Sequence, residues 1–345
     1  MEQRLTTGVK KNLTSFGQIS VANEHPFSKG NNGFQISPRM QELMVYAGHL
    51  NCYEKCNEII KEFIAVEVSP AQVYRVTDTY GEQIGKEMEK TECTLTPVRK
   101  ADVLYAELDG SMIFVRKKGW KETKVGRLFK ASDSIRLDGK PGYISHSQYI
   151  AHLGDHKKFC TQMEGLIESY DVKKSRLVFI SDGASWIRNW VEDAFTDAVS
   201  ILDFYHASEH LHDFVEKFFK DKKAGSKWAK TQKELLLNSK VAKVISNIRK
   251  KAGCDNEAAT KLIDYYSTNI NRMDYKQYKQ IGCGIIGSGA IESTHRTLIQ
   301  ERMKLSGQRW SKNGAQNMLN LRVTNMNGQW NKIIRLVKTY FKLAA

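Results

Sequence analysis

The amino-acid sequence predicts an α/β protein: a mixed β-sheet with helices on its faces, preceded by a helical region and interrupted by a basic helical insertion. Three observations carry this expectation. Ser37-Pro38 and Ser69-Pro70 each read as a helix start, because proline suits the first helical position. At residue 102 the apolar period changes from helical spacing to alternation and short buried runs. From there the order reads β-β-β-α-β-α-β-α, three strands in succession and then alternation, which fits a mixed sheet with flanking helices.

Taken in order, residues 1–35 are polar and glycine-rich and read as an arm, with one strand pair around LTSFGQISVA. Residues 36–93 read as three helices, PRMQELMVYAGHL, NCYEKCNEIIKEFIAV and a short one from Pro70. In the last, Val73 and Val76 face inward while Tyr74, Arg75 and Thr77 face out. That arrangement suggests a helix-turn-helix whose final helix enters a major groove, with Arg75 on DNA; a plain helical bundle is the alternative. TLTPVRK (94–100) reads as a linker. DVLYAELDGSMIFVR suggests two strands around a turn at Asp109-Gly110, and TKVGRLFKAS a third. After a poorly patterned stretch come a helix near 156–170, a buried strand in SRLVFISDG, the helix ASWIRNWVEDAF and the buried strand AVSILDF. Residues 211–284 form the helical insertion; within 216–251 there are 12 Lys and Arg against 3 Asp and Glu. After the turn IGCGIIGSGA a helix begins at Ile291 and runs past Arg302, and residues 326–345 hold an amphipathic helix, NKIIRLVKTYFKL.

The 345 residues allow two or three domains. Their 53 Lys and Arg against 38 Asp and Glu leave a net charge of +15, which favours a polyanionic partner, nucleic acid first; a merely solubilising charge is the bland alternative. No apolar run approaches the roughly 18–20 residues of a membrane span, and the first residues lack the apolar middle of a signal peptide. A cytoplasmic, nucleoid-associated protein without membrane contact is expected. Six cysteines without a CxxC pair suit reduced thiols. His49, Cys52 and Cys56 read as helix-face packing, since no second pair completes a tetrahedral zinc set.

The stretch SILDFYHASEHLHDF (200–214) raises zinc again, because His206 and His210 would share a helix face. Zinc metalloproteases, however, place a glutamate directly after the first histidine, and Ala207 stands there. Three acids elsewhere are better placed for chemistry. Asp109 follows the apolar run LYAEL, Asp182 follows LVFI, and Glu292 lies in the first turn after the GSG turn. Sites in α/β sheets form at strand ends, where a desolvated carboxylate needs a cation. Magnesium or manganese would relieve the repulsion among three such acids. Two ions about 4 Å apart can activate a water or 3′-hydroxyl and stabilise the leaving oxygen of a phosphoryl displacement. Each acid alone has an ordinary explanation, as a turn residue or a helix N-terminal acid.

LDG (108–110), SDGASWI (181–187), LDFYHASEHL (202–211), IGSGAIES (286–293) and RMKLSGQRW (302–310) together resemble DDE transposases of bacterial insertion sequences, best the ISKra-type group of the mutator-like superfamily. The likeness covers roughly residues 100–325, and the N-terminal hundred match loosely. It implies an RNase H-like core over 101–210 and 285–325, with the insertion lying before the helix that carries the glutamate. It implies Asp109, Asp182 and Glu292 as catalytic residues and ligands of two magnesium or manganese ions. The segment Asp203-Phe204-Tyr205-His206 then fits a family pattern in which Asp203 and His206 support the site; a rival assignment makes Asp203 the second ligand in place of Asp182. Double-stranded DNA, as transposon ends and target, and a homodimer or higher oligomer follow as partners.

Arg302, Lys304, Arg309 and Trp310 follow Glu292 closely and could hold that DNA, with Trp310 stacking on an unpaired base or packing the core. Trp186 stands between the same alternatives, packing or touching DNA. The enzyme would bind terminal inverted repeats, cleave a strand and transfer it. The alternatives are a non-catalytic helix-turn-helix regulator on a transposase-like scaffold, and a plain RNase H-like nuclease or resolvase.

Overall fold

The computed structural model describes residues 9–14, 17–22, 34, 36–90, 96–97, 102–136, 142–171, 177–253 and 256–342. The rest of the arm, most of the linker 94–100, Cys93 and Cys254 lie outside the described residues. At the N-terminus β1 (Val9–Thr14) and β2 (Gly17–Ala22) form an antiparallel hairpin where the strand pair is expected.

The central sheet has five strands: β3 (Leu104–Val115), β4 (Gly119–Lys130), β5 (Gln148–Leu153), β6 (Leu177–Ser181) and β7 (Val199–Leu202). Their spatial order is β7-β6-β3-β4-β5. β3, β4 and β5 pair antiparallel, whereas β6 lies parallel to both β3 and β7. The sheet is therefore mixed, as expected, with different strand boundaries. Asp109-Gly110 is no turn: Asp109 pairs with Val125 and Gly110 with Lys124 inside one ladder that runs to Val115. Twelve paired positions outweigh the local preference of Asp-Gly for a turn. The reversal comes at 116–118, with Lys117 (φ 60°) and Gly119 (φ 68°), the first residue of β4, in left-handed conformations. The stretch expected as the third strand belongs to β4, and the third strand is β5, whose edge position weakens its apolar alternation.

One sheet face buries Leu104, Ala106, Leu128 and Phe179 against α4 (His156–Glu168) and α5 (Ser185–Ala194). The other buries Tyr105, Phe129, Val178 and Ile201 against the insertion. That insertion comprises α6 (Phe204–Phe218), which crosses the expected boundary at 211, α7 (Lys222–Leu237), α8 (Val241–Ala252) and α9 (Glu257–Asn269). α10 (Gly289–His295) follows the glycine-rich turn. It continues through a π-helical turn, Arg296–Gln300, into Glu301–Met303, so the expected single helix contains a local change of pitch.

α1 (Pro38–Leu50), α2 (Tyr53–Ile64) and α3 (Pro70–Lys90) are the three expected N-terminal helices. Ser37 caps α1 by accepting from the Met40 backbone N–H, with proline behind it, as its sequence indicates. α3 is much longer than expected, because α11 (Lys312–Met326) covers its second half. Val73 and Val76 are buried and Tyr74 and Arg75 exposed, as expected, but Thr77 is buried against Gly48. α12 (Trp330–Lys342) is not a free appendage: Ile333 and Val337 enter the core formed by α1–α3. Both ends of the chain thus build one helical unit, because the apolar stripe of α12 is buried there.

At Gly81 the α3–α11 seam brings backbone against backbone, and an added Cβ would stand 2.6 Å from the Asn317 carbonyl oxygen. Backbone cannot yield as a side chain does. Gly81→Ala is expected to lower stability by about 1–3 kcal/mol, measured by denaturant unfolding; unchanged or increased stability would contradict this seam.

Candidate active site at a step in the sheet

β3 and β6 run parallel with Ser181 opposite Leu108, so the next residues along the two strands are Asp182 and Asp109. β6 ends there while β3 continues, leaving both acids at a step in the sheet. Asp182 Oδ1 accepts from the Ala184 backbone N–H at 3.0 Å, which shapes the strand-to-helix turn. Gly183 lies under Tyr265 of α9, whose ring leaves no room for a Cβ at that position. Burial raises the Asp182 pKa above the ordinary carboxylate value, and the nearby charge of Asp109 adds to the rise. Asp109 Oδ1 accepts from Gly110 N–H at 2.7 Å.

The support beneath these acids centres on Asp203, at the N-terminus of α6. It is fully buried. Its Oδ1 accepts from the backbone N–H groups of Tyr205 at 2.8 Å and Ser288 at 3.2 Å. Its Oδ2 meets His206 Nδ1 at 2.8 Å and also accepts from the Ser288 hydroxyl. The main-chain N–H of Phe204 donates to the Ile286 carbonyl at 3.0 Å. Asp203 therefore ties the end of β7 to the turn that launches α10. With four donors around it, Asp203 is engaged in structure, which disfavours its rival assignment as a metal ligand. The paired carboxylate raises the His206 pKa from 6.5 to about 9 despite burial, with Asp109 and Asp182 contributing. His206 is accordingly a cation at neutral pH, beside both acids. His210 packs its ring on Tyr265 at 4.2 Å, and His212 is exposed.

α10 lies against β3, with Ile291 and Ile113 in one apolar cluster. Glu292 is exposed on this helix, one turn before His295. It is His295 that touches the first acid, with Nε2 3.0 Å from Asp109 Oδ2. The sequence leads one to expect three carboxylates already gathered; the structure brings Asp109 and Asp182 together and puts His295 between Asp109 and the helix of Glu292. Among the described residues, no three His, Cys, Asp or Glu side chains are arranged as a ready ligand set.

Three further side chains at this site escape sequence reasoning. Arg272, from the end of the insertion, is buried and donates to Ser181 Oγ at 2.7 Å and Ser200 Oγ at 3.0 Å. Its two amino nitrogens lie 3.4 Å from the Asp182 carbonyl oxygen. Glu107, two residues before Asp109 on the same side of β3, is fully buried, with Arg127 3.5 Å away. Burial raises its pKa to about 7 against the pull of Arg127. His295 is the third. A carboxylate and a guanidinium inside apolar runs were the available signals for Glu107 and Arg127; nothing in the local sequence marks Arg272.

The residues expected on DNA divide. Arg75 and Arg309 are exposed. Lys304 is exposed and donates to Ser111 Oγ at 2.7 Å. Arg302 is fully buried between the rings of Tyr53 and Trp310 and donates to the Gly48 carbonyl at 3.0 Å. Trp310 is buried too, its indole N–H donating to the Met303 carbonyl at 3.0 Å. These two side chains join the helical unit to the sheet and present no face to a ligand, so packing is their observed role. Trp186 packs against Phe159 and His156. His49 stacks on Trp330 and Cys56 donates to the Cys52 carbonyl, both packing positions.

The pH dependence of the Asp203–His206 contact follows from His206. Its folded pKa lies above the unfolded value, so its stabilisation is complete below pH 6.5 and is lost as pH rises through about 9. Thermal unfolding is expected to show this fall in the parent and a smaller one in His206→Ala. In Asp203→Asn, NMR titration is expected to return the His206 pKa toward 6.5; a value still near 9 would contradict the pairing.

The family model described as Uncharacterised protein family (UPF0236) matches residues 34–339, which takes in the N-terminal helices, the sheet, the insertion and most of α12. The chain is also 26% identical over 342 residues to the "UPF0236 protein in vanSb 3'region" of Streptococcus gallolyticus, a match covering 91% of this chain and 72% of that protein. With its match extending over most of the sequence, the chain belongs to the UPF0236 family.

Proposed function

We propose that this protein is a DDE-type DNA transposase with an RNase H-like core, which binds transposon terminal inverted repeats and catalyses metal-dependent strand cleavage and strand transfer. The observation that carries the proposal is the juxtaposition of Asp109, in the middle of β3, with Asp182, just past the end of the neighbouring parallel strand β6. Two acids share a partly desolvated step, and burial together with mutual repulsion raises the pKa of one. That donor set suits a hard divalent cation, which would remove the repulsion.

Asp109, Asp182 and Glu292 would hold magnesium or manganese, with Glu292 supplied by the helix packed over β3. When bound, such ions would activate the attacking water or 3′-hydroxyl and stabilise the leaving oxygen. His206, held protonated by Asp203, adds a fixed positive charge beside the acids and toward a phosphate. Asp203 and Arg272 position the two strand ends. The exposed cations of the insertion, among them Lys222, Lys223, Lys227 and Lys230, suit a phosphate backbone, as does the net charge of +15. Arg75 on the free face of α3 is a candidate for contact with the repeats in a helix-turn-helix role. Two transposon ends joined to one target call for a dimer or larger assembly.

The test is strand cleavage of end-containing DNA with magnesium. Asp182→Ala and Glu292→Ala are each expected to reduce cleavage by at least about 100-fold, an effect on the scale of losing one strong transition-state contact, while DNA binding persists. Cleavage equal to the parent in both variants would overturn the assignment.

A further inference from the structure

The hairpin joining β3 to β4 carries a surface that the catalytic proposal does not use. Its sequence is Arg116-Lys117-Lys118-Gly119-Trp120-Lys121, four cations and no acid in six residues. All four cations are exposed, and Trp120 is 61% exposed on a hairpin where an indole has no packing need to be. Phe114 lies directly across the ladder from Trp120, and the two rings meet edge to face at 5.6 Å.

Opposite them runs the segment between α10 and α11. It is fastened to the hairpin by main-chain bonds: Trp310 N–H donates to the Phe114 carbonyl at 3.1 Å and Arg116 N–H to the Trp310 carbonyl at 2.8 Å. Between hairpin and segment lies a cleft of about 400 Å³, lined by Phe114, Trp120, Leu305 and Arg309 among others. The Arg309 guanidinium stands 5.8 Å from the Phe114 ring centre, and Lys304 borders the same cleft. Aromatic faces are thus interleaved with six cations, and both walls are fixed by backbone pairing.

We propose that this hairpin cleft binds single-stranded nucleic acid, with Trp120 stacking on an unpaired base and the surrounding lysines and arginines on its phosphates. Stacking on an exposed ring accepts any base, and cations track the backbone, so the site would be tolerant of sequence. An apolar peptide would leave the six charges unmatched. A membrane surface would match the charges, and it enters the test as the competing outcome. The cleft lies five residues along β3 from Asp109, about 17 Å at the rise of a strand. The proposal deepens the transposase reading and rests on it for biological purpose: DNA opened at a cleavage point would have a place to hold its unpaired strand. It also moves the base-stacking role from the buried Trp310 to Trp120.

The test uses the full chain in metal-free buffer with a fluorescein-labelled oligothymidylate of about 16 nucleotides, within the span of known single-strand sites, read by anisotropy. Trp120→Ala is expected to weaken binding by about tenfold or more, and Trp120→Phe by no more than about threefold, since a ring remains. The double variant Lys118→Ala, Lys121→Ala is expected to flatten the slope of log affinity against log salt by about 1.4. Failure of the parent to bind, equal binding by Trp120→Ala, or Trp120-dependent binding to phosphatidylserine vesicles in place of the oligonucleotide would each overturn the proposal. Because no divalent ion is present, Asp182→Ala is expected to bind as the parent does. Loss of cleavage and loss of strand binding therefore report separately.

Discussion

A buried carboxylate must be matched by donors, or folding must meet the cost of desolvating it, and Asp203 is where this constraint organises the molecule. Its four donors come from the start of α6 and from the turn at Ser288, segments 85 residues apart. Satisfying that one side chain fixes the end of β7, the entry into the insertion and the launch of α10. The helix that carries Glu292 and His295 is then laid over β3, with Asp109 beneath it. The same contact charges His206, so a structural necessity also supplies a cation to the site.

The insertion has a similar double role. Its exposed lysines suggest a surface for a polyanion, but its far end is built into the sheet. Arg272 reaches the hydroxyls and carbonyls where β6 and β7 stop. Tyr265 closes over Gly183, and Tyr266 donates to the Ala207 carbonyl at 2.7 Å. These contacts make the insertion a wall of the site and leave its basic helices α7 and α8 turned outward. Charge and architecture are separated along one segment, which the count of lysines alone could not reveal.

Much of this was legible because local patterns and tertiary structure agree. LVFIS and VSIL are short apolar runs bounded by polar turns, and they form adjacent parallel strands, with Asp182 just past the end of the first. The Ser-Pro helix starts and the interruption of the sheet by helices are legible for the same reason. Errors arose where a local preference met a long-range partner. Asp-Gly favours a turn, yet here it lies mid-strand under a twelve-residue ladder. Arg302 and Trp310 have the composition of a DNA contact, but Arg302 is buried against Tyr53 and the Gly48 carbonyl, partners about 250 positions away, and Trp310 is buried beside it. Arg272 has no local signature at all, since its role exists only once β6 and β7 lie side by side. The merging of the two chain ends into one helical unit was hidden likewise, because an amphipathic stripe shows that a face will be buried but not against what.

The claim on which the account turns is that the step between β3 and β6 is a cation site completed by α10. Crystals grown with manganese and measured for anomalous scattering test it directly. The expected result is a manganese peak at the carboxylates of Asp109 and Asp182, with His295 withdrawn from Asp109 and Glu292 turned toward the ion. Manganese found only elsewhere on the protein, with the His295–Asp109 contact intact, would contradict it.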